Sequence, residues 1–321
     1  MDFAFVVHPL VRWQRRVLGV RLAHLPLALG GPAGVDGVGE IARVVLNTTR
    51  GPARCAVIGV PDVAEDLATD QHRALALQKR AAGVAMALGA RAIGLGNALA
   101  VVAGRGSALA SAVDTRVTTG HASTAWAAAS IVGQVLEDRG TPRGPVGVLG
   151  FRGTVGHGAA ALLRAQGVEV WVDARGHAAR LADDLGCRPV PLEEVPRHAT
   201  VLLGASTTGP VLDPCHLQEG TILVDLSLPP TLRPGPRPRG LRIVAGERLV
   251  VTGGIRRDGW GVLWLWMAQY GRGAVFACFA EPAALALTQE PPFSGGRRLS
   301  VAAMRRAGDA LVGLGFRAVA R

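Results

Sequence analysis

Two regimes of apolar and polar positions alternate along the chain. Short apolar runs, bounded by glycine, proline or charge, recur at 3–7, 53–59, 92–95, 146–149, 168–172, 200–203, 222–224 and 241–244, and each reads as a buried strand. Between them lie helical stretches: 12–21, which mixes basic and apolar residues, then 66–88 and the small-residue run 101–113. Another helix opens at Thr118-Thr119-Gly120 and extends to about Glu137, where threonine oxygens and an open backbone suit a helix start. Further helical pieces fall at 159–165, 181–185 and 192–195, then 262–270 with two tryptophans, and a helical tail runs from 274 with a break around 291–296. Five prolines between Pro229 and Arg239 exclude a helix or central strand there.

Strand and helix in alternation predict an α/β fold with parallel sheet and helices on both faces. The charged, Pro/Gly-bearing stretch 138–144 marks a boundary, so the expected division is an α/β substrate domain over 1–137, a Rossmann dinucleotide-binding domain over 138–258 and a helical C-terminal segment over 259–321.

Composition narrows the class. A chain of 321 residues with 49% apolar residues is long and hydrophobic enough for two cored domains and is not a disordered one. Four cysteines without C-x-x-C spacing offer neither a zinc framework nor a disulfide scaffold, and point to a reducing cytoplasm. The start carries Asp2 where a signal peptide would carry a base, and Pro9 cuts its apolar run. Neither 117–136, interrupted by threonines, His121, Ser123 and Gln134, nor the short run 259–271 reads as a membrane span; peripheral contact with lipid stays open. The net charge of +11 is almost all arginine, Lys79 being the single lysine. Arginine-for-lysine usage of a GC-rich genome accounts for it, or an acidic partner does; sparse aromatics and the lack of a basic helix disfavour nucleic acid.

The strand at 146–149 runs straight into Gly150-Phe151-Arg152-Gly153-Thr154-Val155-Gly156, and a helix follows. Glycines there let backbone approach a pyrophosphate at a helix N-terminus, so Gly150, Arg152, Gly153, Thr154, Val155 and Gly156 are candidate cofactor contacts. Asp173 ends the next strand, where an acid favours NAD(H) by accepting from a ribose hydroxyl; Arg175, two residues on, favours NADP(H) by pairing with a 2′-phosphate. Ser206 and Thr207, in the polar turn after the strand at 200–203, are candidates for the ribose and nicotinamide side. Cys278 stands inside an apolar run as a candidate nucleophile, with Thr119 and His121 as candidate partners and His8 a further candidate base. A helix beginning near Glu281, with Pro282 in its first turn, would place Cys278 just ahead of a positive helix end and favour its thiolate.

Several stretches resemble one family. F-A-C-F-A-E, then F-S-G-G-R-R-L-S-V-A-A-M-R-R-A-G and the Gly315-Phe316 pair, are similar to the long-chain acyl-[acyl-carrier-protein] reductases of cyanobacteria and the wider group of predicted amino-acid dehydrogenases. F-A-F-V-V-H-P-L, G-A-R-A-I-G-L-G-N, V-T-T-G-H-A-S-T-A and G-F-R-G-T-V-G match the wider group. The resemblance implies NADPH-dependent reduction of a fatty acyl thioester to an aldehyde, with acyl carrier protein or acyl-CoA as donor and Cys278 carrying the acyl group. It departs at His121, where the family has asparagine, and at Pro282, where it has a helix former. Backbone N–H groups over 118–121 are then the expected oxyanion donors. Apolar residues over 262–267 and 283–287 line an acyl tunnel or are ordinary core. Two other readings stand beside this one: an NAD(P)-dependent dehydrogenase of a small hydroxy or amino acid without a covalent intermediate, and a non-catalytic dinucleotide-binding protein.

Overall fold

The computed structural model describes residues 1–8, 37–174, 176–207, 209–227, 229–258, 273–288, 290–294 and 298–320. The helices expected over 12–21 and 262–270 lie outside these residues.

The first stretch builds a sheet from β1 (Phe3–Val7), β2 (Gly39–Thr48), β3 (Gly51–Gly59), β4 (Ala92–Leu95) and β5 (Arg116–Thr118). β3, β1, β4 and β5 lie side by side and parallel, while β2 folds back antiparallel on β3. Alternation along β1 gives each sheet face a core. Ala4 and Val6 pack with Leu77, Ala81 and Ala85. Phe3 and Phe5 point the other way.

The helix expected over 66–88 is two helices, α1 (Ala64–Thr69) and α2 (Gln71–Ala87). Asp70 breaks them: its backbone is extended, and its carboxylate accepts from the Arg73 amide at 2.9 Å, capping α2. α2 buries Ala74, Leu77, Gln78, Ala81, Ala82 and Ala85, a stripe at helical spacing. The helix expected over 101–113 shrinks to α3 (Ser107–Ala110). Ahead of it, Ala103, Gly104, Arg105 and Gly106 have φ of 49°, 74°, 55° and 78°, a consecutive left-handed run that helical spacing of small residues does not reveal. α4 spans His121–Asp138, close to expectation.

A second sheet follows. β6 (Val146–Leu149), α5 (Thr154–Ala165), β7 (Val170–Asp173), α6 (His177–Asp184), β8 (Arg188–Val190), α7 (Val195–His198), β9 (Val201–Gly204), β10 (Ile222–Asp225) and β11 (Arg242–Ala245) follow in order; β8 is an addition to the expected strands, and β9, β10 and β11 succeed one another without an α-helix among the described residues. All strand pairs are parallel, in the order β11-β10-β9-β6-β7-β8. Strand order therefore reverses between β6 and β9, the arrangement of doubly wound dinucleotide-binding folds.

The remaining chain is not helical throughout. β12 (Arg248–Val251), β14 (Ala274–Phe276) and β15 (Phe316–Ala318) form a small sheet, and β13 (Ile255–Asp258) adds antiparallel to the β2 edge. α8 (Ala277–Thr288) and α9 (Val301–Gly313) complete it. α8 takes the second face of the first sheet: Phe279 meets Phe3 and Phe5 edge-on, with ring centres 5.7 and 5.0 Å apart.

Two compact units result. One comprises 1–123, 249–297 and 309–317; the other comprises 124–248, 298–308 and 318–321. Among the described residues no helix is long and apolar enough to cross a membrane.

Candidate functional site

In the second unit the glycine turn sits where the strand order reverses. Gly150 has φ +89°, and a Cβ on it would lie 2.5 Å from the Ala205 carbonyl oxygen. A Cβ on Gly156 would lie 2.4 Å from the Gly150 carbonyl oxygen, so α5 can press on the turn only without a side chain there. Gly153 differs: φ is −78°, and the atom nearest to an added methyl would be the Gly150 oxygen at 3.2 Å. It is exposed, as is Arg152, while Thr154 and Val155 are half-buried at the start of α5. The three glycines thus serve a tight turn, an open approach and close helix packing, which is the division of labour a pyrophosphate cradle requires.

Asp173 is already engaged through one of its two carboxylate oxygens. Its Oδ1 accepts from the Gly150 and Phe151 amides, both at 2.9 Å, so it tethers the turn. Burial pushes its carboxyl up, opposed by those N–H bonds and by Arg152. Arg175 lies outside the described residues. Ser206 is buried and its amide donates to Ser227 Oγ at 2.9 Å, within a cluster where Asp225 accepts from Ser227 N and Thr231 Oγ1 at 3.0 and 2.7 Å. Ser206 therefore belongs to a braced turn, whereas Thr207 is exposed.

In the first unit, Thr119, His121 and Cys278 do converge, at the carboxyl end of β5. A Cβ on Gly120 would lie 2.4 Å from both Cα and Cβ of Cys278, so the first turn of α8 rests directly on that glycine. The expected helix start is corrected: α8 begins at Ala277, Cys278 is inside its first turn, and Pro282 is in its interior. Pro282 has no N–H for the Cys278 carbonyl, one helical turn back, and its ring packs where a Cβ on Gly94 of β4 would be, 2.7 Å away. Cys278 is half-buried.

Of the expected oxyanion donors over 118–121, the Gly120 amide is already engaged, and so are two amides just beyond them. The Gly120 amide donates to Thr118 Oγ1 at 3.1 Å, the Ala122 amide to Ser294 Oγ at 2.8 Å, and the Ser123 amide to Glu281 Oε2 at 2.8 Å. Thr118 Oγ1 donates to the other Glu281 oxygen. Glu281, fully buried, thus caps the start of α4 with a carboxylate. A lone acid in an apolar helix was the signal for it in F-A-C-F-A-E, yet only the fold shows what it binds.

His121 is neutral at physiological pH: burial first, then the Arg105 cation, lower its pKa from 6.5 to about 4. Its residue surface is only partly covered, but desolvation of the ring still leads. It is a poor base for a thiol. Its Nδ1 lies 2.9 Å from Thr119 Oγ1; with that hydroxyl donating, Nε2–H becomes a hydrogen-bond donor. His8 is similarly engaged, its Nε2 accepting from the Ala98 amide at 3.2 Å. Ala283 to Ala286 are buried core of α8; 262–267 lie outside the described residues.

Fold and glycine turn together define an α/β protein with a doubly wound, dinucleotide-binding type of unit. No family model matches the chain. A curated protein, Aminotransferase PigE of Serratia sp. (strain ATCC 39006), is 27% identical over 277 residues, which is 81% of this chain and 29% of that protein. The chain therefore spans under a third of that relative's length. Among solved structures, L-tryptophan dehydrogenase from Nostoc punctiforme overlaps at a TM-score of 0.33 with 15% identity, covering 69% of this chain and 60% of that one. A dipicolinate synthase from Bacillus halodurans overlaps at 0.31 with 17% identity, over 47% and 56%. The yhdH oxidoreductase of Salmonella enterica, solved with NADP, overlaps at 0.28 with 23% identity, over 37% and 42%. Overlaps this slight carry no argument about chemistry. The expected kinship with acyl-[acyl-carrier-protein] reductases is overturned: the curated match bears an aminotransferase name.

Proposed function

We propose that the protein is an NAD(P)-dependent oxidoreductase of a small hydroxy, oxo or amino acid, working without a covalent intermediate. The observation that carries the reading is the glycine turn at the strand-order reversal, where each of three glycines has its own spatial reason. A nicotinamide dinucleotide, when bound, supplies or accepts the hydride. Arg152, Gly153, Thr154 and Val155 would hold its pyrophosphate, and Asp173 would keep their turn in place. In the first unit, neutral His121 would donate from Nε2 to a substrate oxygen, oriented by Thr119. Cys278 would pack beside that group, its position set by Gly120, without forming a bond to substrate.

Gly153 gives the direct test. Its φ suits any residue, and the added methyl, 3.2 Å from the Gly150 carbonyl oxygen, asks only a small shift of the turn while it crowds the phosphate approach; an unchanged thermal midpoint of Gly153→Ala checks that the fold is kept. Binding of NADH and NADPH, followed by nucleotide fluorescence, should weaken by about tenfold or more, equivalent to about 1.4 kcal/mol. Failure of the wild-type chain to bind either nucleotide would sink the proposal. Retention of full turnover in Cys278→Ala separates it from thiol-based catalysis.

A further inference from the structure

Arg105 stands outside every motif of the sequence. Arg43, Arg73, Arg91 and Arg188 pair with Glu40, Asp62, Asp2 and Glu169. Arg105 has no carboxylate within ion-pair distance among the described residues. It is half-buried, so its charge is only partly screened by water.

Its backbone is held in place at a cost. Arg105 and Ala103 are both non-glycine residues in the left-handed region, flanked by Gly104 and Gly106 in the same region. Three contacts fix the run. The Ala103 amide donates to Gln71 Oε1 at 2.7 Å, Ser107 Oγ donates to the Gly104 carbonyl at 2.6 Å, and a Cβ on Gly106 would lie 3.1 Å from the Thr119 methyl. That last contact places the loop against the carboxyl ends of β4 and β5, the end of an open parallel sheet at which ligands bind. After burial, the charge of Arg105 also acts against protonation of His121. A cation, a neutral imidazole and a hydroxyl therefore share one positive corner of the first unit.

We propose that Arg105 binds the carboxylate of a small acid substrate, with His121 as the neighbouring neutral donor. A planar guanidinium meets a carboxylate through two parallel hydrogen bonds, which fixes orientation as well as charge. The inference rests on the oxidoreductase reading for its substrate class and supplies that reading with an acid-recognition residue.

Calorimetric titration of the full chain at neutral pH tests it, with oxalate as the carboxylate probe and inorganic phosphate as the competing anion. Asparagine tolerates left-handed φ, so Arg105→Asn removes the charge and keeps the loop; an unchanged thermal midpoint confirms this. Wild type should bind oxalate in preference to phosphate, Arg105→Lys more weakly, and Arg105→Asn about tenfold to a hundredfold more weakly. Equal oxalate binding by wild type and Arg105→Asn, no oxalate binding by wild type, or a preference for phosphate would each overturn the assignment. Nucleotide fluorescence on the same samples belongs to the second unit. Loss of that signal with oxalate binding intact would remove the oxidoreductase reading and leave the carboxylate site standing.

Discussion

His121 illustrates how a single position can change role between sequence and structure. The sequence offers a histidine in a helix start near a cysteine, and a base is the natural expectation. Burial and Arg105 make it a neutral donor, with the pKa lowered to about 4. A group whose folded pKa lies below its unfolded one costs stability on acidification, because the unfolded chain takes the proton first. Stability from this residue is complete above about pH 6.5 and lost as pH falls toward 4. The full loss is at most about 3 kcal/mol. Urea unfolding followed from neutral to acid pH should therefore show a steeper loss in wild type than in His121→Gln; identical slopes would refute it. The close approaches at Gly150 and Gly156 were readable from residue type and spacing. Glu281 was not, because its role lies in partners far along the chain, Thr118 and Ser123.

At the scale of elements, periodicity located the longer parallel strands, since strands buried on both faces are continuous apolar runs. It failed where backbone geometry overrides spacing. Asp70 splits a helix by capping its successor, and 103–106 turn left-handed inside a run of small residues that suits a helix. β2, β5, β8 and β12 to β15 escaped notice: β5 and β8 are three-residue edge strands, and β2 and β13 pair antiparallel with polar and apolar positions mixed. Gly120 is the hinge between two elements: φ +71°, with backbone of α8 where its Cβ would be. Gly120→Ala combines that contact with strain and should destabilise the chain by about 2 kcal/mol or more. A denaturation midpoint unchanged by this substitution would mean that α8 does not rest there.

For the whole molecule, linear order and folding unit do not coincide. The first unit needs 249–297 as well as 1–123: β13 closes one sheet edge and α8 covers one sheet face. The C-terminal stretch, which reads as a helical appendage, is thus half of the first unit's second layer. A chain ended after Arg248 exposes Phe3 and Phe5 and should lose amide protection in β1, β3 and β4, measured by hydrogen exchange. Persistent protection in those strands would show that the N-terminal residues fold unaided.

The left-handed loop has a consequence for chirality. Left-handed backbone disfavours L-residues by crowding Cβ, and glycine or a D-residue at 105 would be at ease there. Neither would aim a guanidinium as an L-arginine does: glycine has no side chain, and the D-residue sends its Cβ the other way. The handedness that makes position 105 uncomfortable is the same handedness that gives its side chain a direction. Relaxing the loop and keeping its aim are therefore mutually exclusive changes.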